Sequence, residues 1–177
     1  MAEYIKVYKE RIPELRFAGK RYTNADRQNG GYGHLWGEWF AKGWFAELEK
    51  TDAAKGTDNG YLGFMRCKED DFANTFEYWL GMFVAADAAV PAGFTYIDMP
   101  ESDLAVAWIQ GLDDGGLYAA EDECMPHFEA NGMGKWYQDA EGRVYFFERY
   151  NCPRYTTPNE QGKVILDYCA YLARAEE

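Results

Sequence analysis

The sequence predicts an α+β fold. It is expected to have two pseudo-symmetric halves, each a hairpin, a helix and two further strands, with antiparallel sheets around a central ligand cleft. Three observations carry this prediction. Strand-like segments come in close pairs, helical periodicity is confined to two stretches, and the order of segments recurs. Met99-Pro100-Glu101 echoes Ile12-Pro13-Glu14, and at the same offset FEYWLGMFV (76–84) moves onto KVILDYCAY (163–171). The repeats run from about 4 to 85 and from 93 to 172, inside one domain spanning 1–177.

In the first half, YIKVYKE (4–10) and LRFAGKRY (15–22) read as strands turned at Pro13. A helix follows from about Tyr32 to Leu48. Its apolar residues Leu35, Trp36, Trp39, Phe40 and Trp44 recur at three- and four-residue steps and make one face. That face is core first, with room for one indole to reach a groove. Gly37 and Gly43 each weaken the helix by roughly 1 kcal/mol relative to Ala. A polar loop from Lys50 to Gly60 leads to the strands GYLGFM (60–65) and FEYWLGMFV. On the latter, Glu77, Trp79 and Phe83 share one side, and Phe76, Tyr78, Leu80 and Met82 the other.

In the second half, FTYIDMP and DLAVAWIQG form the expected hairpin, with Trp108 alternating with Leu104 and Val106 in a core pattern. The helix begins near Gly116 and ends at Asn131-Gly132, with Leu117, Cys124 and Phe128 on its inner side. Pro126 lies within it and predicts a kink or an early stop. The turn DAEG (139–142) precedes RVYFFERY (143–150).

Composition narrows the function classes. Of the 177 residues 47% are apolar and 18% aromatic, enough to offset ordering entropy and to line a ligand site. The net charge of -12 disfavours nucleic acid and anionic membrane as partners and favours a small organic ligand that is cationic. The four cysteines form no CxxC and there are only two histidines, so neither a metal site nor a cofactor is expected. Cys152 precedes Pro153 in a loop with no histidine near it in sequence. Without an N-terminal apolar targeting segment, the chain is expected to be cytoplasmic with reduced thiols.

One residue stands out. In FFERYNCPRY (146–155), Glu148 shares its side of the strand with Val144, Phe146 and Tyr150, while Tyr145, Phe147 and Arg149 take the other. Both sides are rich in apolar surface, so the strand is expected to be central and Glu148 to be removed from water. Desolvation raises the pKa of such a carboxyl. A cationic ligand would offset that cost by pairing while aromatic walls stack on it. A raised pKa also suits general acid or base chemistry near neutrality. A structural role remains open beside these, through a tyrosine hydroxyl or an arginine such as Arg154. Arg149 is expected to reach solvent or to pair with an acid.

The segments RIPELRFAGKRY, NGYLGFM, FEYWLGMFV, VPAGFTYIDMPESDLAVAWIQG and FFERYNCPRYTTPNEQGKVILDYC together resemble the GyrI-like (gyrase-inhibitor-like) family, across nearly the whole chain. That family also supplies the effector-binding domains of AraC-type and MerR-type regulators. The resemblance implies two pseudo-symmetric halves around a hydrophobic cleft that binds diverse, often planar and cationic xenobiotics. It places the acidic residue of the cleft at Glu148, with Tyr150, Trp108, Trp79 and Tyr78 as wall positions. The chain starts at its first strand, so a stand-alone binder is expected and not a DNA-binding regulator. The resemblance also permits a hydrolase opening cyclopropane-bearing or other electrophilic xenobiotics, with Glu148 as base and Tyr150 as helper. A gyrase-interacting protein would need a contiguous acidic patch, and the densest acids (Asp70-Asp71, Asp113-Asp114 and Glu121–Glu123) are dispersed.

Overall fold

The computed structural model describes residues 1–58 and 60–174. Its strands are β1 (Glu3–Ile12), β2 (Leu15–Thr23), β3 (Gly60–Lys68), β4 (Glu77–Val84), β5 (Thr95–Met99), β6 (Ser102–Leu112), β7 (Arg143–Asn151) and β8 (Lys163–Tyr171). They form a single antiparallel sheet in the order β1-β6-β8-β7-β3-β4-β2-β5. The order is palindromic: exchanging β1–β4 for β5–β8 returns the same sheet. The centre is the β7–β3 pair, where Gly63 faces Glu148 and Phe64 faces Phe147.

The strands form where alternation placed them, but the expected hairpins do not. β1 pairs with β6, and β2 with β4 and β5. The reason lies in the connections Pro13-Glu14 and Pro100-Glu101. A two-residue hairpin needs a primed turn with positive φ, which proline, locked near -65°, does not adopt. Each proline link instead joins strands from opposite ends of the sheet.

These links also dictate curvature. In a flat sheet β1 and β2 would stand six spacings apart, roughly 29 Å, whereas three Cα steps span at most about 11 Å. The sheet therefore coils. Its inner face carries Ile12, Leu15, Phe17, Phe64, Phe83, Met99, Leu104 and Phe147, from both ends of the strand order. Rings on strands two apart touch across this face: Phe17 to Phe64 at 4.8 Å and Phe83 to Phe147 at 5.4 Å. Among the described residues, no helical side chain belongs to this cluster, because the sheet covers it with itself.

Helices cover the outer face. The first predicted helix is two, α1 (Gly33–Lys42) and α2 (Trp44–Glu49). They are separated by Gly43 at φ 67°, a left-handed conformation that caps α1 and that a side chain would resist. The second predicted helix is also broken. α3 (Phe72–Thr75) is a short turn after β3, and α4 (Gly115–Ala119) and α5 (Cys124–Ala130) are joined by a 3-10 turn at Ala120–Glu123. The break precedes Pro126, which sits in the first turn of α5, where its missing N–H costs little. α2 packs on β4, and α4 and α5 on β6. A groove is left between the two helical groups over the central strands. Among the described residues no helix is long and apolar enough to cross a membrane.

Candidate ligand-binding cavity

The groove holds a cavity of about 460 Å³, lined by Gly33, Trp36, Phe40, Tyr61, Asp113, Tyr118, Tyr150, Tyr155 and Thr156. That is within the usual range for small organic ligands. A smaller recess of about 320 Å³ shares Tyr61, Tyr150 and Thr156 with it and adds Glu49, Met82 and Cys152.

Each wall follows from local structure. On one side, α1 presents Trp36 and Phe40 one turn apart, the helical spacing read from sequence. The break at Gly43 then turns Phe45 back so that it stacks on Tyr61 with centroids 3.9 Å apart. Phe40 is 60% exposed, so the apolar face of α1 is partly core and partly cavity rim. On the other side, Tyr118 of α4 shares a 3.1 Å hydroxyl contact with Tyr155 and donates to Asp113, also at 3.1 Å.

Tyr150 is the floor. Its ring meets Trp36 at 4.8 Å and Tyr155 at 4.6 Å, both edge-on. Its hydroxyl turns inward and donates to Glu148 Oε2 at 2.6 Å. Glu148 is 8% exposed, beneath that ring. Opposite it on β3, Gly63 makes the space: a Cβ there would lie 2.8 Å from Glu148 Oε2 and 2.7 Å from the Tyr78 hydroxyl. The Tyr78 hydroxyl accepts from Trp36 Nε1 at 2.9 Å, and Tyr32 stacks on its ring at 4.0 Å.

Burial pushes the Glu148 carboxyl up, against the Tyr150 hydrogen bond that favours its charge. Burial, with the charge of Glu148 beside them, holds the Tyr78 and Tyr150 phenols well above their ordinary value, so both remain donors. Glu121, in the 3-10 turn before α5, is close enough to Glu148 for the charge of one carboxyl to act on the other. Burial and that neighbouring charge raise it far above the usual carboxylate range.

Of the residues expected in the site, Glu148, Tyr150 and Tyr78 come together. Trp79 and Trp108 lie on the inner face of the sheet. Trp79 donates to Glu77 at 3.0 Å, and Trp108 stacks beneath Arg154, whose guanidinium is 4.6 Å from its ring. Alternation alone turns them away, since neither shares the face of Glu148. Arg154 pairs with Asp167 and Asp58, so it is not the partner of Glu148. Arg149 is fully buried and pairs with Asp167 and Glu10.

Sequence reasoning missed Tyr61, Tyr118 and Tyr155 as walls and Glu121 altogether. In the sequence Glu121 stood out only as part of the acidic run Glu121–Glu123. Its signal was helical spacing, for Leu117, Glu121, Cys124 and Phe128 recur at steps of four, three and four.

A second concavity, about 450 Å³, surrounds Glu77 between Arg21, Lys68 and Arg143. Its carboxylate is already engaged by Arg21, Arg66 and Arg143, so a cation would find no unpaired charge.

The GyrI-like small molecule binding domain matches residues 5–163. The chain belongs to the GyrI-like family. No curated protein matches it in sequence. Among solved structures, SAV2435 bound to tetraphenylphosphonium is 17% identical over 96% of this chain and 94% of its own, with a TM-score of 0.65. A Staphylococcus aureus protein assigned provisionally to bacterial transcription regulation is 16% identical over 95% of this chain and 99% of its own, with a TM-score of 0.62. At such identities these two share the fold of this GyrI-like domain, and the fold alone.

Proposed function

We propose that this GyrI-like domain binds bulky or planar aromatic cations in the cavity between α1 and α4, with Glu148 as the anionic anchor. One observation carries the reading: Glu148 is buried among aromatic rings and, among the described residues, has no basic partner. A desolvated carboxylate so placed gains from a cation, and the rings of Trp36, Tyr61, Tyr118 and Tyr150 add stacking and cation–π attraction. The tetraphenylphosphonium bound to SAV2435 is an organic cation of this kind and supports the reading. In this structure the Tyr150 ring covers Glu148, so entry of a cation to the carboxylate requires that ring to turn aside.

The test is calorimetric titration with tetraphenylphosphonium and with triphenylphosphine oxide, a neutral analogue. Glu148→Gln should lower affinity for the cation by about tenfold or more and leave the neutral compound unaffected. Equal loss for both would remove the electrostatic role.

A second reading draws on the two neighbouring carboxyl groups. A protonated acid beside an ionised one can supply acid and base together, as hydrolysis of an electrophilic xenobiotic would need. Turnover of a cyclopropane-bearing compound, lost in Glu148→Gln while binding persists, would establish it. Binding without turnover across several such compounds would leave only the first reading.

A further inference from the structure

This inference rests on the cation-binding reading and deepens it. Behind Tyr150, which lines the cavity, lies the carboxyl of Glu148 on β7, and its acidic neighbour is Glu121 in the turn before α5. One oxygen of Glu121, Oε1, is buried and, among the described residues, meets no hydrogen-bond donor. Among the described residues every ion pair falls elsewhere, on acids such as Asp167, Glu77 and Asp139. The groups facing the pair are neutral or acidic. They are Tyr78 from β4, Tyr150 from β7, Tyr168 from β8, Cys124 from α5 and Asp122 beside Glu121. Tyr118 and Tyr155 close the side towards Asp113, and the Tyr4 hydroxyl of β1 contacts Ala120 and Cys124, which flank Glu121 in sequence.

Two neighbouring buried carboxyl groups without a cation resist ionising together, because each charge disfavours the other. We propose that Glu121 is a second anionic group of the cation site, and that an entering organic cation displaces the proton shared by Glu121 and Glu148. The charge balances. Before binding, the pair carries one negative charge and one proton. After binding, two carboxylates face one cation, and the proton has passed to solvent. The net charge beneath the cavity is unchanged, so the cation replaces the proton one for one.

Tetraphenylphosphonium has no titratable group, so any proton released on binding comes from the protein. Calorimetry in phosphate and in Tris, which differ in ionisation enthalpy, measures that release. About one proton should leave per cation bound, and affinity should rise towards about tenfold per pH unit while the free pair keeps its proton. In Glu121→Gln, both the release and the pH slope should be lost while the cation still binds. Wild-type protein that binds the cation with no proton exchange and with affinity flat in pH would overturn the proposal and leave the cavity reading intact. Undiminished release in Glu121→Gln would also overturn it. If the wild type takes up neither the cation nor triphenylphosphine oxide, the cavity reading fails first.

Discussion

Glu148 and Arg149 are consecutive on β7, and their charges never meet. Alternation sends them to opposite faces of the sheet. Arg149 is fully buried on the inner face, where Nε donates to Asp167 at 3.0 Å and Nη1 to Glu10 at 2.8 Å. Asn151 and Arg154 donate to the same Asp167, so that charge is fully surrounded. Among the described residues, Glu148, on the outer face, has a phenol and another acid beside it and no base. One strand thus carries a completed ion network on one side and an incomplete one on the other, and the incomplete side is where the cavity opens.

Breaking the completed side should cost the most stability. Arg149→Met removes the cation that Asp167 and Glu10 share and leaves buried negative charge behind, at about 3–5 kcal/mol. Urea denaturation measures it. A loss below about 1 kcal/mol would mean that Arg154 alone neutralises Asp167.

The incomplete side should show itself in the pH dependence of the free protein. Burial raises both Glu121 and Glu148 in the folded state, whereas an unfolded glutamate titrates near about 4.3. Above that pH the folded chain holds a proton that the unfolded chain has released. This contribution to stability is therefore complete in acid and is lost as pH rises towards the raised folded-state values. Glu121→Gln should stabilise the free protein more at about pH 8 than at about pH 5. Melting curves that shift equally at both would contradict the shared proton.

Glu77 gives the opposite sign. Burial pushes its carboxyl up, but hydrogen bonds from Arg66 and Trp79 and the guanidinium charge outweigh this and hold it below the usual range. Its contribution is present at neutrality and lost as pH falls through that lowered value. Glu77→Gln should destabilise at about pH 7 and much less in strong acid, measured by thermal melts across that range.

Gly63→Ala tests the crowding between the central strands. Its Cβ would fall 2.7 Å from the Tyr78 hydroxyl and 2.8 Å from Glu148 Oε2. Both groups would have to move, at about 1–3 kcal/mol of stability, with loss of cation affinity. Wild-type affinity in a folded Gly63→Ala protein would show that the recess plays no part in binding.

Two aromatic residues of α1 should separate. Trp36→Phe keeps a ring but strands the Tyr78 hydroxyl, at about 1–2 kcal/mol. Phe40 is 60% exposed, so Phe40→Ala should change stability by less than about 0.5 kcal/mol while weakening ligand binding. Chemical denaturation paired with calorimetric titration distinguishes the two.

Much of this was legible in the residues. Alternation along RVYFFERY put Glu148 with Val144, Phe146 and Tyr150 and apart from Arg149, and the structure keeps that division. The three- and four-residue steps of α1 put Trp36 and Phe40 on one helix face, which reads from sequence as core first. Proline positions marked where strands end but not what they pair with, and hairpins were expected at links that instead cross the coil. Glu121 was hidden because Glu121–Glu123 read only as one of several dispersed acidic clusters, although its spacing from Leu117 pointed inward.

Local periodicity therefore decided which residues are strand or helix and which side of its own strand each occupies, for these depend only on neighbours a few positions away. It also singled out Glu148 by the company it keeps. Tertiary structure alone decided which face of the sheet receives the helices, hence that Tyr78 and not Trp79 lies with Glu148 beside Gly63. It alone brought Glu121 to Glu148 and closed the sheet on its aromatic side. Those outcomes depend on pairing between segments far apart in the chain, and no local spacing encodes the register of one such segment on another.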